Sequence, residues 1–383
     1  MRIGIDVSSA VNQTAGIGRY TTELVTSLLE IDKQNEYVFH SFFGDPSGFK
    51  KRFSEDRFQM SAHEFSGRML RVRALCLSFL RRTPDSLLQN IDIFHVPDFA
   101  FPASRKVPSI LTVHDLIFLR YPEYFTKINR TYMKQMAKFS ADNARHIIAD
   151  SHSTKLDIME YFRIPEEKIS VIHLAVSDLF QPVDDPVKSG QVLSTHGVDG
   201  PYLLYVGTLE PRKNVITILE AFHACLNSEQ DFPYRLVVAG KKGWLYEETF
   251  QRVKKLRLED RVVFTGYVDD QGLPVLYSNA TAFVYPSIYE GFGFPVIEAM
   301  SCGAPVICAN TSSLVEVAGN AALTHNPTDV EKLAQNILEL TRDDALRREM
   351  IEKGFENVKR FSWAKTAEET LKIYSNIYES VAG

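Results

Sequence analysis

Short apolar runs followed by longer stretches of helical periodicity recur along the whole chain, and this alternation limits the fold more than any other feature. Runs rich in Val, Ile, Leu and aromatic residues read as strands buried on both faces, and helices between them place those strands in covered parallel sheets. In the first half, strands are expected near residues 2–7, 37–42, 92–96, 109–114, 146–150 and 169–173, and helices near 17–30, 66–81, 127–142 and 152–161. The second half restarts the pattern with YLLYVG from Tyr202, YRLVVAG from Tyr234, RVVFTG from Arg261, TAFVYP from Thr281 and APVICA from Ala304. Between the halves, FQPVDDPVKSG from Phe180 holds turn-forming residues without clear periodicity and reads as a linker. At 383 residues the chain exceeds the roughly 250–300 at which a single core stops growing, so two α/β domains are expected, residues 1–182 and 191–365. The last stretch, FSWAKTAEETLKIYSNIYESVAG, is helical by period, with Trp363, Leu371, Tyr374, Ile377 and Tyr378 on its apolar side.

Composition removes several classes. A hydrophobic share of 45% with 24% charged residues is that of an ordinary globular protein, not of a disordered or collagenous one. Lys and Arg stand at 23 against 21 Asp and Glu over residues 1–180 and at 20 against 27 over the remainder, a mild asymmetry that argues against nucleic acid as a partner. Cys76, Cys225, Cys302 and Cys308 lack the spacing of a zinc site and fit a reducing compartment. MRIGIDVSSA begins as a strand without the regions of a signal peptide, and no window reaches the roughly 18 apolar residues of a membrane span, so a cytoplasmic protein is expected.

In open parallel sheets ligands sit beyond the carboxyl ends of the strands, and three strands of the second half end in Gly207, Gly240 and Gly266. EGFGFPVIE sets Glu290 and Glu298 around Gly291, Phe292 and Gly293 at a strand-to-helix junction, with Pro295 suited to the first helical turn. Glycines there admit a ligand close to the backbone, the helix N-terminus favours an anion, and the acids can accept hydrogen bonds from hydroxyls. A nucleotide sugar combines that diphosphate and those hydroxyls, although solvated acids in a loop and a first turn are the plainer alternative. GTLEPRKN places Arg212 and Lys213 between a strand end and a helix, a second anion site. AGIGRY presents Gly16 and Gly18 where a helix opens, but lacks the third glycine and the closing acid of a dinucleotide fingerprint. TVHDL puts His114 and Asp115 at a strand end, and ADSHST puts Ser151 where it could line a site or cap the next helix.

Together these segments resemble glycosyltransferase family 4, whose E-x7-E signature EGFGFPVIE matches and whose other motifs recur in order from the Gly16 loop to Trp363. The resemblance implies the α/β GT-B fold, two Rossmann-like domains with parallel sheets facing across a cleft, the C-terminal helix (about 366–383) crossing back to the first. It implies a retaining hexosyltransferase that uses a nucleoside diphosphate sugar, needs no metal or other cofactor, and forms no covalent enzyme intermediate. By the same resemblance Arg212 and Lys213 bind the diphosphate, Glu290 the donor sugar and Glu298 the ribose. Gly291, Phe292, Gly293 and Gly207 line the donor; Tyr267 and Val268 hold the base; Gly16 and Gly18 overlie the diphosphate; and His114 positions the sugar. Asp115, Ser151 and Arg19 fall on the acceptor side, Asp115 as the residue that could orient His114. The donor is expected to be UDP- or GDP-hexose, carrying glucose or mannose, and the acceptor a growing, lipid-linked glycan. A nucleotide-sugar epimerase or a silent nucleotide-sugar binder are the alternatives.

Residues 65–84 add Arg68, Arg71, Arg73, Arg81 and Arg82 with no acid, interleaved with apolar side chains. Such a segment suits the anionic inner face of a membrane, or a packing helix with solvated arginines.

Overall fold

The computed structural model describes residues 1–12, 16–53, 57–63, 72, 74–76, 78, 80, 83, 85–99 and 103–382. It divides into two units, Met1–Leu174 with Ser362–Gly383, and Ala175–Phe361. The first holds seven parallel strands: β1 (Arg2–Asp6), β2 (Glu36–Ser41), β3 (Phe58–Ala62), β4 (Ile93–Val96), β5 (Ser109–Val113), β6 (His146–Ala149) and β7 (Ile169–Val171). Their order is β3-β2-β1-β4-β5-β6-β7. The second holds β8 (Tyr202–Val206), β9 (Arg235–Ala239), β10 (Val262–Gly266), β11 (Ala282–Tyr285), β12 (Val306–Ala309) and β13 (Ala322–His325), in the order β10-β9-β8-β11-β12-β13. Each sheet is Rossmann-like and reverses its winding direction once, between β1 and β4 and between β8 and β11. Those two points are where a doubly wound sheet leaves a crevice for a ligand.

The central strands are buried along nearly their whole length, as strands covered on both faces by helices are. Ile3 and Ile5 of β1, Leu203 and Leu204 of β8 and Phe283 and Val284 of β11 are all 0% exposed. Each such side chain contributes about 1.5–3 kcal/mol to folding. Helix Ile17–Ile31 buries Leu24, Val25 and Leu28 at helical spacing, starts at Gly16 without a side-chain cap, and stops where Asp32 turns extended. Helix Trp363–Ala382 packs against it in the same unit. That last helix buries Ala367, Tyr374 and Ile377 together with Thr366 and Thr370, whereas Tyr378, expected on the apolar side, is 38% exposed.

Two edge strands escaped the sequence reading, β3 and β13. The segment read as a linker from Phe180 is partly helix Pro186–Thr195, in the second unit. Its start is set by the Asp185 carboxylate, which accepts from the backbone N–H of Val187 and Lys188, and by Pro186 in the first turn. The first unit's amino-terminal part accordingly ends at Leu174, not near 182. The five arginines of the basic segment, Arg68, Arg71, Arg73, Arg81 and Arg82, lie outside the described residues. No helix among the described residues is long and apolar enough to cross a membrane.

Candidate active site

The reversal between β8 and β11 brings two loops side by side beyond the strand ends. Asn214, in the left-handed region at φ 57°, ends the PRK turn and donates through Nδ2 to the carbonyls of Pro286 at 3.1 Å and Pro327 at 2.7 Å. The N–H of Ile288 donates to the Arg212 carbonyl at 2.9 Å. These backbone ties carry Arg212 and Lys213, from the loop after β8, onto Glu290, from the loop after β11. The Arg212 guanidinium donates to Glu290 Oε2 at 2.8 Å and to the Tyr289 carbonyl at 2.9 Å, and its Nε donates to Glu210 Oε1 at 2.9 Å. Lys213 Nζ donates to Glu290 Oε1 at 2.7 Å and to the Tyr285 hydroxyl at 2.5 Å; that hydroxyl in turn donates to Glu290 Oε1 at 2.8 Å.

Two cations and two carboxylates are therefore joined in one cluster, of which Glu210, Lys213 and Glu290 are each less than a tenth exposed and Arg212 is partly exposed. Burial alone would raise the Glu290 carboxyl, but Arg212 and then Lys213 overcome it and hold it down at about 2. Burial and the Arg212 guanidinium pull the Lys213 ammonium below its usual range, against the pull of Glu290. The loop backbone is fixed from behind: the Ser312 hydroxyl accepts from the Glu290 N–H at 2.9 Å, and the Ser313 hydroxyl donates to the carbonyls of Glu290 and Phe292 at 2.9 and 2.7 Å. Phe292 turns its ring into the unit against Phe294 and Phe361, so only its backbone is available to a ligand. Gly293 starts helix Phe294–Ser301 at φ 107°, and a Cβ there would lie 2.7 Å from Leu314 Cδ2.

The other second-unit residues singled out from sequence fall on the same carboxyl edge. Glu298 is 5% exposed and accepts from the Tyr277 hydroxyl at 3.2 Å. Gly207 and Gly240 meet where β8 and β9 end, so closely that a Cβ on Gly240 would stand 2.0 Å from the Gly207 carbonyl oxygen. After β10, Tyr267 is 55% exposed with Lys241 Nζ 4.3 Å from its ring centroid, while Val268 is buried and can offer a ligand only its backbone.

In the first unit His114 follows β5. Its Nδ1 lies 2.5 Å from Asp150 Oδ2 and its Nε2 lies 2.8 Å from the Pro97 carbonyl oxygen. Asp115, which could orient that ring or line the acceptor side, is not its hydrogen-bond partner and accepts from the Ile117 N–H at 3.2 Å; the carboxylate on the ring is that of Asp150. Ser151 caps helix His152–Phe162, its hydroxyl accepting from the Thr154 N–H at 3.1 Å. Gly16, at φ 57° and ψ −125°, and buried Gly18 open helix Ile17–Ile31, where Arg19 is half-buried. Behind them runs a buried chain of hydrogen bonds: Tyr20 hydroxyl to Thr112 Oγ1 at 3.0 Å, Thr112 Oγ1 to His95 Nε2 at 2.8 Å, and His95 Nδ1 to the Tyr374 hydroxyl at 2.6 Å.

Sequence reasoning passed over Asp6, Asp150 and Tyr285. Asp6 closes β1, and burial, opposed by hydrogen bonds from Ser8, raises its carboxyl to about 7. An acid ending an apolar strand was the available signal for both aspartates, since each closes a strand in the sequence.

A sequence model described as "Glycosyl transferases group 1" matches residues 194–357, and one described as "Glycosyltransferase Family 4" matches residues 14–178. The O-antigen chain mannosyltransferase B of Escherichia coli is 36% identical over 369 residues, spanning 94% of this chain and 95% of that protein. The O-antigen chain mannosyltransferase RfbU of Salmonella typhimurium is 34% identical over 221 residues, 57% of each chain. Among solved structures, a sucrose-phosphate synthase of Thermosynechococcus elongatus superposes with a TM-score of 0.76 at 20% identity, over 99% of this chain and 100% of that one.

Proposed function

The chain belongs to glycosyltransferase family 4 and is a hexosyltransferase of polysaccharide biosynthesis, and on that footing we propose that it moves mannose from GDP-mannose, with retained configuration, to a growing lipid-linked glycan. The observation that carries the proposal is the buried cluster of Arg212, Lys213 and Glu290 at the β8/β11 reversal. Breaking the bond between sugar and diphosphate builds negative charge on the leaving phosphate. Arg212 and Lys213 are held in place before substrate arrives, so they meet that charge by sharing their existing bonds to Glu290 rather than by being recruited from solvent, and the proposed reaction draws on no metal. Glu290 accepts from a sugar hydroxyl once the diphosphate shares its two cations. Glu298 takes the ribose hydroxyls, and the backbone of Tyr267 and Val268 holds the base. The acceptor hydroxyl attacks from the face the diphosphate leaves, and its proton passes to the departing phosphate oxygen.

Mannose is favoured over glucose by the mannosyltransferase that aligns along 94% of the chain. The transferase names of the relatives lend no support to an epimerase. A lipid-linked acceptor places the protein at the cytoplasmic face of a membrane as a peripheral enzyme. The test is transfer from GDP-mannose and from UDP-glucose to a lipid-linked oligosaccharide, in the presence and absence of EDTA, with the anomeric centre of the product read by NMR. An α-mannoside formed equally with EDTA is expected. Transfer from UDP-glucose alone, inversion, or loss of activity with EDTA would each overturn the corresponding part.

A further inference from the structure

The pairing of His114 is more restrictive than a hydroxyl-binding histidine requires. Nε2 faces a backbone carbonyl, which only accepts, so Nε2 carries a hydrogen. Nδ1 faces a carboxylate at 2.5 Å, which leaves one further proton held between Nδ1 and Oδ2. The other oxygen of that carboxylate, Asp150 Oδ1, is buried with no hydrogen-bond partner among the described residues, so the imidazole is the main group compensating the Asp150 charge.

We propose that Asp150 is a positioning residue of the transfer reaction, one that fixes the His114 ring and holds it as an imidazolium at the carboxyl edge of the first unit's sheet. The ring cannot turn without breaking two hydrogen bonds, and with both nitrogens protonated it cannot take a proton from an acceptor. What it offers is a fixed positive charge and an immobile edge beside the helix that opens at Gly16, with the Tyr20 ring packed edge-to-face on it at 4.8 Å.

The surrounding charges agree. Asp98, after β4, adds to Asp150 in favouring the cation, and His95 on β4 is itself kept neutral. Asp115 and His173 act on Asp150 with opposite signs. Burial works against charge on His114, yet the Asp150 carboxylate, Asp98 and the Pro97 carbonyl together push it up to about 9. Burial also raises the Asp150 carboxyl, against the lowering effect of His114; that is the separate, acid-side step of the pair's titration, while retention of the shared proton to high pH is the His114 step.

The inference rests on the functional reading above only where it concerns the reaction, and its two tests separate the parts. In the first, the protein labelled with 15N-histidine is titrated by NMR, with the His114 signals identified by their loss in His114→Gln. A midpoint near 9 is expected in the wild type, and one at or below about 6.5, the ordinary value, in Asp150→Asn. A wild-type midpoint at or below about 7, or one that Asp150→Asn does not move, overturns the proposal. In the second, kcat/KM for transfer from GDP-mannose is followed against pH. If only the imidazolium supports the reaction, those midpoints make Asp150→Asn about 30-fold slower at pH 8, the deficit shrinking as pH falls. A deficit constant at every pH marks a merely structural role and overturns it. The wild-type titration stands even if Asp150→Asn does not fold, and Asp150→Glu should restore the wild-type profile. Absence of any transfer by a wild type whose His114 titrates near 9 would sink the functional reading alone.

Discussion

Replacing Glu290 with Gln keeps the shape of the cluster and removes its central charge, and the cost can be worked from the cations it holds. The Glu290 carboxyl is held down from 4.5 to about 2 by Arg212 and Lys213 against the opposing effect of burial. At about 1.4 kcal/mol for each pH unit, that difference is worth about 3.5 kcal/mol. It matches the roughly 3–5 kcal/mol lost when one partner of a buried pair is removed. Because the folded-state value lies below the unfolded one, the contribution is complete above about pH 4.5 and is lost as pH falls toward 2. Glu290→Gln should therefore lower the melting temperature of the unit Ala175–Phe361 at pH 7, by roughly 7–14 °C for a unit of this size. About half of the gap should be gone at pH 3. Nucleoside diphosphate should repair the variant, since its phosphates supply the missing negative charge. The thermal shift produced by GDP should thus be larger in Glu290→Gln than in the wild type even though transfer is lost. Calorimetric scans at pH 7 and pH 3, with and without GDP, test both points. A variant that melts with the wild type at pH 7, or whose deficit is the same at pH 3, would refute the assignment of Glu290 as the compensating charge.

Tyr374→Phe should cost about 1–3 kcal/mol in urea denaturation, because it strips the partner from buried His95 Nδ1, and it should leave GDP affinity unchanged. His40 is 3% exposed, and neither ring nitrogen has a hydrogen-bond partner among the described residues; burial, with His63, lowers it from 6.5 to about 4. The unfolded chain then takes up that proton first, so stability should fall as pH drops from 6.5 to 4, by about 3 kcal/mol; His40→Phe should flatten that slope in denaturation curves, and an unchanged slope would assign it elsewhere. Gly240→Ala should cost about 3 kcal/mol or more in thermal unfolding, since its Cβ would stand 2.0 Å from a carbonyl oxygen at a φ of 149°; wild-type stability would show that β8 and β9 can part there.

What could be read from sequence follows from where each residue's partners lie. Central strands announce themselves because both faces are buried, whereas β3 and β13 sit at sheet edges and carry exposed polar residues such as Gln59 and Thr324 among few apolar ones. Helix Pro186–Thr195 was hidden by Pro and Asp residues that read as turn formers and in fact form its cap. Arg212, Lys213 and Glu290 were legible because each lies in a loop that leaves a central strand, so a motif and a strand end coincide. Their pairing with one another was not, since it depends on β8 lying next to β11. The His95–Tyr374 bond joins residues 279 apart and the His114–Asp150 bond residues 36 apart, with no local pattern to mark either.

The two units solve the same electrostatic problem at the same topological position, the carboxyl edge of a doubly wound sheet. In each, a buried acid is neutralised by a cation from a neighbouring strand's loop: Glu290 by Arg212 and Lys213 in one, Asp150 by His114 in the other. Neither buried carboxylate is left without a cationic partner, which would cost folding energy. A ligand at the β8/β11 edge must therefore exchange partners within an existing network, and binding there is governed by differences: a diphosphate gains only what it offers Arg212 and Lys213 beyond what Glu290 already supplies. Such a site discriminates through charge. Under the proposed function a neutral sugar cannot displace the carboxylate, whereas a nucleoside diphosphate shares both cations and frees Glu290 to accept from a hydroxyl. Measured in the wild type, free mannose at millimolar concentration should produce no thermal shift while GDP does, and equal shifts from both would show that the cluster is not what the donor engages.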